Sequence, residues 1–135
     1  MTDLDECDTV FAVGHNMAET HTVLWARLLD RLAGPDRPRL VVVDPRRTGP
    51  ARAAEAHLPI RNGTNLALLN GIQHELIAHG WTDQKFVAAH TVGFDKLART
   101  VADYPPERVA DICDVPADDI RAAARVIGSA RRLAG

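Results

Sequence analysis

The chain has 135 residues, a formal net charge of -2, 46% hydrophobic and 25% charged residues, and only 4% aromatics. That is enough chain for one soluble globular domain with its own core. The near-neutral charge and scarce aromatics argue against a nucleic-acid partner, which would need a basic face or stacking platforms. No apolar run is long enough to span a bilayer. The acidic start Met1-Thr2-Asp3-Leu4-Asp5-Glu6 is unlike a secretory signal. Cys7 and Cys113 fit no paired motif and read as packing residues of a reduced, cytoplasmic protein.

In chain order, Val10 to Val13 read as a short buried strand, broken at Gly14-His15-Asn16. A helix is expected from about Ala18 to Ala33, its apolar face carried by Val23, Leu24, Leu28, Leu29 and Leu32. Its amino terminus would point free N–H groups at the sheet edge and offer an anion site. Gly34-Pro35-Asp36-Arg37-Pro38 ends it. Arg39 to Val43 is the second strand, buried on both faces as in a parallel sheet. Strand, helix and strand at this spacing make a βαβ unit.

Pro45 stops the second strand and leaves Asp44 at its carboxyl end, with Arg46, Arg47 and Thr48 beyond. Ligands bind at that edge of open α/β sheets. A carboxylate there suits a sugar or base, and guanidinium groups suit phosphate. The plain alternative is a solvated turn. Gly14 fits the first glycine of G-x-G-x-x-G, but Asn16 and Glu19 replace the others, which disfavours a nicotinamide-dinucleotide turn.

Ala51 to Ala56 suggest a short helix and His57 to Ile60 a short third strand. Thr64 is the expected N-cap of a helix from Leu66 to Ala78, with the stripe Leu66, Leu69, Ile72, Gln73, Leu76 and Ile77. The polar turn Asn62 to Asn65 would face the same edge as Asp44. Further helices are expected over Thr82–Ala89, from Gly93 to Val101, over Glu107–Ile112, and from Pro116 towards Gly128. The expected fold is α/β: a single domain over 1–135, a three-layer Rossmann-like parallel sheet with flanking helices and a helical C-terminal half. No C-x-x-C, H-E-x-x-H or G-x-S-x-G is present, so neither a metal ligand nor a catalytic residue can be named from spacing.

Three motifs in order carry a resemblance. Asp8 to His21 resembles the strand and G-x-N-x-x-E-x-H turn of molybdopterin oxidoreductases, the bis-molybdopterin-guanine-dinucleotide enzymes that include formate dehydrogenases, nitrate reductases and dimethyl sulfoxide reductases. Val43-Asp44-Pro45-Arg46-Arg47-Thr48 resembles their D-P-R-x-T loop. Ala54 to Asn65 resembles their A-D-x-H-L-x-I-x-x-G-T-D segment, and Asp83 to Phe94 and Ile112 to Ala124 also follow the family.

The resemblance implies a molybdenum cofactor, bis-molybdopterin guanine dinucleotide. Gly14, Asn16, Glu19 and His21 would line its first turn. Asp44, Pro45, Arg46 and Thr48 would meet the nucleotide end, and Gly63, Thr64 and Asn65 would complete the pocket. Asn65 replaces the common Asp and points to the formate dehydrogenase branch. Cys113-Asp114 replaces a common Thr-Gly, with an effect expected only on a turn. The family's iron–sulfur cysteines would lie upstream, and the metal ligand outside this chain. The chain is therefore expected to be an internal fragment of the cofactor-binding domain, partnered by the cofactor and by the remaining domains or electron-transfer subunits. The alternative is a stand-alone, non-catalytic α/β nucleotide-binding module.

Overall fold

A computed structural model describes residues 3–135. The chain forms two compact units, one of the residues up to Pro59 together with Ala130–Gly135, the other of Ile60–Ser129.

The first unit is built on a sheet. Helix α1 (Asp3–Glu6) leads into β1 (Thr9–Val13). Helices α2 (Met17–Thr20) and α3 (Thr22–Ala33) connect it to β2 (Arg39–Val43). Helix α4 (Gly49–Ala53) leads to β3 (Ala56–Leu58), and β4 (Leu133–Ala134) returns from the far end of the chain. The strand order is β3-β2-β1-β4, and every pairing is parallel. This is the α/β parallel sheet with flanking helices that the sequence announces.

The run Leu40-Val41-Val42-Val43 is essentially inaccessible to solvent. β-branched residues suit a pleated strand covered on both faces, and this strand is central. Val10, Ala12, Met17, Leu28, Leu40, Val42 and Ala51 form a core, against which Leu4, Trp25, Leu32 and Ala134 pack. Cys7 belongs to this core, and Cys113 is buried in the second unit; neither is in a disulfide.

Several local expectations need correction. The expected helix from Ala18 to Ala33 is two helices. His21 leaves helical geometry at φ -137° and ψ 60°, which separates α2 from α3. Of the five residues expected on its apolar face, only Leu28 is fully buried; Val23 and Leu29 are exposed. Leu28 and Leu32 of the expected face do meet the core, and Trp25 packs there with them. The expected helix Ala51–Ala56 begins earlier. Thr48 caps it by accepting the Ala51 N–H at 3.4 Å, and Pro50 sits in its first turn, where its missing N–H costs nothing. The third strand is Ala56–Leu58 rather than His57–Ile60. Val13 is exposed at the end of β1.

The second unit is helical: α5 (Asn65–Ala78), α6 (Gln84–His90), α7 (Phe94–Val101), α8 (Pro106–Cys113) and α9 (Ala117–Gly128). Helix α5 packs on α7, α8 and α9. Its buried face is Leu68, Gly71, Ile72 and Glu75, whereas Leu66 from the expected stripe is exposed. Leu68, Ile72 and Glu75 recur at helical spacing, and Gly71 lets α8 approach: a Cβ there would lie 2.8 Å from a Val109 methyl.

Candidate functional site

Parallel register sets the first two loops side by side. Val13 pairs with Val43, so Gly14 and Asp44 leave adjacent strands at the same carboxyl edge. The Gly14 N–H donates to the Val43 carbonyl at 2.8 Å, which carries the ladder one step past the strand. Gly14 has φ +61°, a conformation that costs glycine little, and the space a Cβ would take is open.

The two loops are also clasped by a close approach. A Cβ on Gly49 would sit 2.9 Å from the Ala18 Cβ, so the start of α4 meets α2 without a side chain between them. The turn Gly14–His21 and the loop Asp44–Thr48 thus form one neighbourhood in the first unit.

Within it, Asn16 is 7% exposed, and its carbonyl Oδ1 is buried with no hydrogen-bond partner among the described residues. Leaving such an atom unmet costs about 1–3 kcal/mol. Its backbone is engaged: the Asn16 carbonyl accepts the N–H of Glu19 at 3.1 Å, the N–H of Thr20 at 3.2 Å and the Thr20 hydroxyl at 3.0 Å. Met17, next to it, is buried in the core, whereas Glu19 and His21 are exposed. The expected anion site at a long helix terminus needs correction here. α2 has four residues, too few to sum a macrodipole, and the longer helix starts only at Thr22.

Asp44 is 4% exposed. One carboxylate oxygen accepts the Arg46 N–H at 2.8 Å and lies 3.7 Å from the Arg46 Nε. An Asx turn of this kind fixes the loop and leaves the Arg46 side chain in solvent. The His57 ring reaches across from β3, and its Nε2–H donates to the Asp44 carbonyl at 2.8 Å. Pro45 is exposed and Thr48 buried. A recess of about 430 Å³ beside the loop is lined by Pro45, Arg47, Arg52, Glu55, His57 and Pro59. Sequence reasoning overlooked His57, whose contribution depends on the β2–β3 register, and His15, which lies 3.1 Å from His21 ring to ring.

Gly63, Thr64 and Asn65 belong to the second unit. Gly63 takes φ +85°. Thr64 stands at the N-cap position of α5, but its hydroxyl donates to the Arg61 carbonyl at 2.7 Å and caps no helical N–H, contrary to the expected capping bond. Its φ of -102° and ψ of 11° lie outside the extended region usual for a capping side chain. The Arg61 N–H donates to the Cys113 carbonyl at 2.8 Å, and the Cys113 thiol lies 3.6 Å from the Thr64 carbonyl, so this turn is fastened to the end of α8. Asn65 is exposed.

These residues fit an extended, polar, phosphate-bearing cofactor. An orphaned amide oxygen, an open left-handed glycine and an exposed guanidinium beside a buried carboxylate supply an acceptor, close backbone approach and an anion partner.

Comparison with known proteins gives the family. The family model "Molybdopterin oxidoreductase" matches residues 1–128. The chain is 37% identical over 134 residues to formate dehydrogenase H of Escherichia coli, covering 99% of this chain and 18% of that protein. It is 37% identical to a nitrate reductase of Symbiobacterium thermophilum, covering 98% and 19%. It is 32% identical to the alpha subunit of an F420-dependent formate dehydrogenase of Methanococcus maripaludis, covering 96% and 19%. Among solved structures, acetylene hydratase of Pelobacter acetylenicus superposes with a TM-score of 0.82 at 31% identity, over 96% of this chain and 18% of that one. The chain spans less than a fifth of the length of these relatives. It belongs to the molybdopterin oxidoreductase family.

Proposed function

We propose that this chain is the part of a molybdopterin-dependent oxidoreductase, formate dehydrogenase-like, that grips the guanine dinucleotide end of the molybdenum cofactor. The observation that carries this reading is the Asn16 amide oxygen, buried and unpartnered in a turn clasped against the Asp44 loop. A fold keeps such a cost when a ligand meets the atom.

In this reading Gly14 lets the backbone approach the cofactor and Asn16 accepts from it. Glu19 and His21 line the outer side of the turn. Asp44 holds its loop through Arg46 N–H and offers its second oxygen to a sugar or base. Pro45 stops β2 so that the loop can form, Arg46 pairs with phosphate, and Thr48 ends the loop by capping α4. Gly63, Thr64 and Asn65 of the second unit are proposed as further cofactor-binding residues, with Asn65 offering one acceptor oxygen where an aspartate would offer two. The cofactor, when bound, supplies the redox metal; none of these side chains is assigned a catalytic step. Residues 1–135 are proposed to act as one cofactor-binding piece. Iron–sulfur clusters held in an upstream segment, electron-transfer partners and a cytoplasmic setting belong to the same proposal. Among the described residues no helix is long and apolar enough to cross a membrane.

The test is calorimetric titration with GDP, a stand-in for the nucleotide end, on the parent chain, Asp44→Ala and Arg46→Ala. Removing one charge-assisted contact is expected to weaken binding about tenfold or more. Equal affinity in all three chains would remove the loop from the site. Binding by a folded chain that ignores both changes would favour the alternative of a nucleotide module using another surface.

A further inference from the structure

The β1–α2 turn holds a chain of short polar contacts among His15, His21, Thr20 and Asn16 whose role the family match does not assign. His15 Nε2 lies 3.1 Å from His21 Nδ1, with the rings edge to face at 82°. Thr20 Oγ1 lies 3.0 Å from the same His21 Nδ1. The Thr20 hydroxyl also lies 3.0 Å from the Asn16 carbonyl.

Counting protons favours one set of roles. A carbonyl oxygen can only accept, so the single Thr20 hydroxyl proton goes to Asn16. Towards His21 the hydroxyl then has only lone pairs. If that contact is a hydrogen bond, its proton sits on His21 Nδ1, which then donates between Thr20 Oγ1 and His15 Nε2. His15 Nε2 is therefore an acceptor, and its own ring proton is on Nδ1. The opposite assignment turns the Thr20 hydroxyl towards His21 and leaves two oxygens facing each other at 3.0 Å without a proton. Chelation is a poorer account of the short ring-to-ring distance, because among the described residues no group of three or more His, Cys, Asp or Glu is placed to hold a metal.

We infer that His15 and Thr20 are positioning residues that hold His21 in its Nδ1–H form, so that His21 meets the ligand as a hydrogen-bond acceptor through Nε2. The His21 ring is exposed, and its Nε2 has no protein partner among the described residues. A neutral ring in this form takes a hydrogen from the ligand. It would face a hydroxyl, an amine or a ring N–H rather than a phosphate oxygen. This inference rests on the proposed reading of the turn as a cofactor site for its purpose, but not for its test.

The experiment is a long-range proton–nitrogen correlation spectrum of the ligand-free chain labelled at histidine with nitrogen-15, at about pH 8, above the ordinary histidine range. The expected result is His21 and His15 both mainly protonated at Nδ1, against the Nε2–H form that free histidine favours. Thr20→Val removes the hydroxyl and keeps the shape; His15→Phe removes the ring acceptor. Each is expected to shift the His21 ratio about fivefold towards Nε2–H, the size of one neutral hydrogen bond. Thr20→Ser keeps the hydroxyl and should retain the parent ratio. Amide signals of Val41–Val43 report that each variant is folded. A parent His21 protonated at Nε2, or a ratio that neither removal moves, overturns the inference. Because no ligand is present, failure of GDP to bind leaves this result standing and bears only on the cofactor reading.

Discussion

Asp114 has φ 62°, the left-handed conformation, and among the described residues no other non-glycine has a positive φ. It follows Cys113 and ends α8, where its N–H donates to the Ala110 carbonyl at 2.8 Å. An L-residue pays about 1–2 kcal/mol in this conformation, less for Asp, while glycine costs about 0.4–1 kcal/mol through the unfolded chain. Its contact with Arg61 spans 3.9 Å between exposed groups and contributes little. Asp114→Gly is therefore expected to stabilise the chain by about 0.5 kcal/mol, read as a higher urea midpoint. A lower midpoint would show that the Arg61 contact matters. The departure from Thr-Gly was legible in the sequence as a turn, and the structure adds the reason glycine suits it. Asn16 illustrates the converse. Its place in the motif was legible, but its buried and unmet oxygen depends on how α2 packs, which no spacing encodes.

At the scale of elements, β2 was the most legible feature, since three consecutive valines after Leu40 leave few other readings. The break between α2 and α3 was not. No proline or glycine marks it; only the weak helix formers Thr20-His21-Thr22-Val23 do, and propensity alone is a weak signal. β4 was missed because two residues have no period. The junction of α2 and α4 was equally hidden, although it sets the candidate site. Gly49→Ala would bring a Cβ to 2.9 Å from the Ala18 Cβ. Overpacking of this kind costs about 1–3 kcal/mol, while the gain in helix propensity is at most about 1 kcal/mol. Net destabilisation is expected, together with weaker GDP binding if the two loops separate. Ala18→Gly in the same chain removes the clashing atom and should recover part of the loss. A double-mutant cycle measures this, and a coupling near zero would mean that the helices are not held by this contact.

On the scale of the molecule, the sheet unit is closed by residues from opposite ends of the chain. Asp8 carries that closure. Its N–H donates to the Arg132 carbonyl at 3.0 Å, and its carboxylate accepts the Arg131 N–H at 3.0 Å and the Thr9 hydroxyl at 3.0 Å. Burial, the largest single influence, pushes this carboxyl up. The Arg131 N–H, the Thr9 hydroxyl, the Arg132 N–H and the Arg39 charge together outweigh it, so the group ends below the usual aspartate range. The sign follows from linkage. A folded-state pKa below the unfolded one means that the unfolded chain binds the proton more readily. Asp8 therefore adds stability above the unfolded value near 3.9, and the contribution is lost as pH falls through the lower folded value. Acid should loosen β4 before β2, because β4 pairs over only two residues and depends on this carboxylate. Hydrogen exchange should show the amides of Arg131 and its neighbours losing protection below about pH 4 while Val41–Val43 stay protected. Asp8→Asn should lower stability near pH 7 and flatten the acid limb of the unfolding curve. An acid limb identical in both chains would assign the closure to the backbone pairing of β4 rather than to the Asp8 carboxylate.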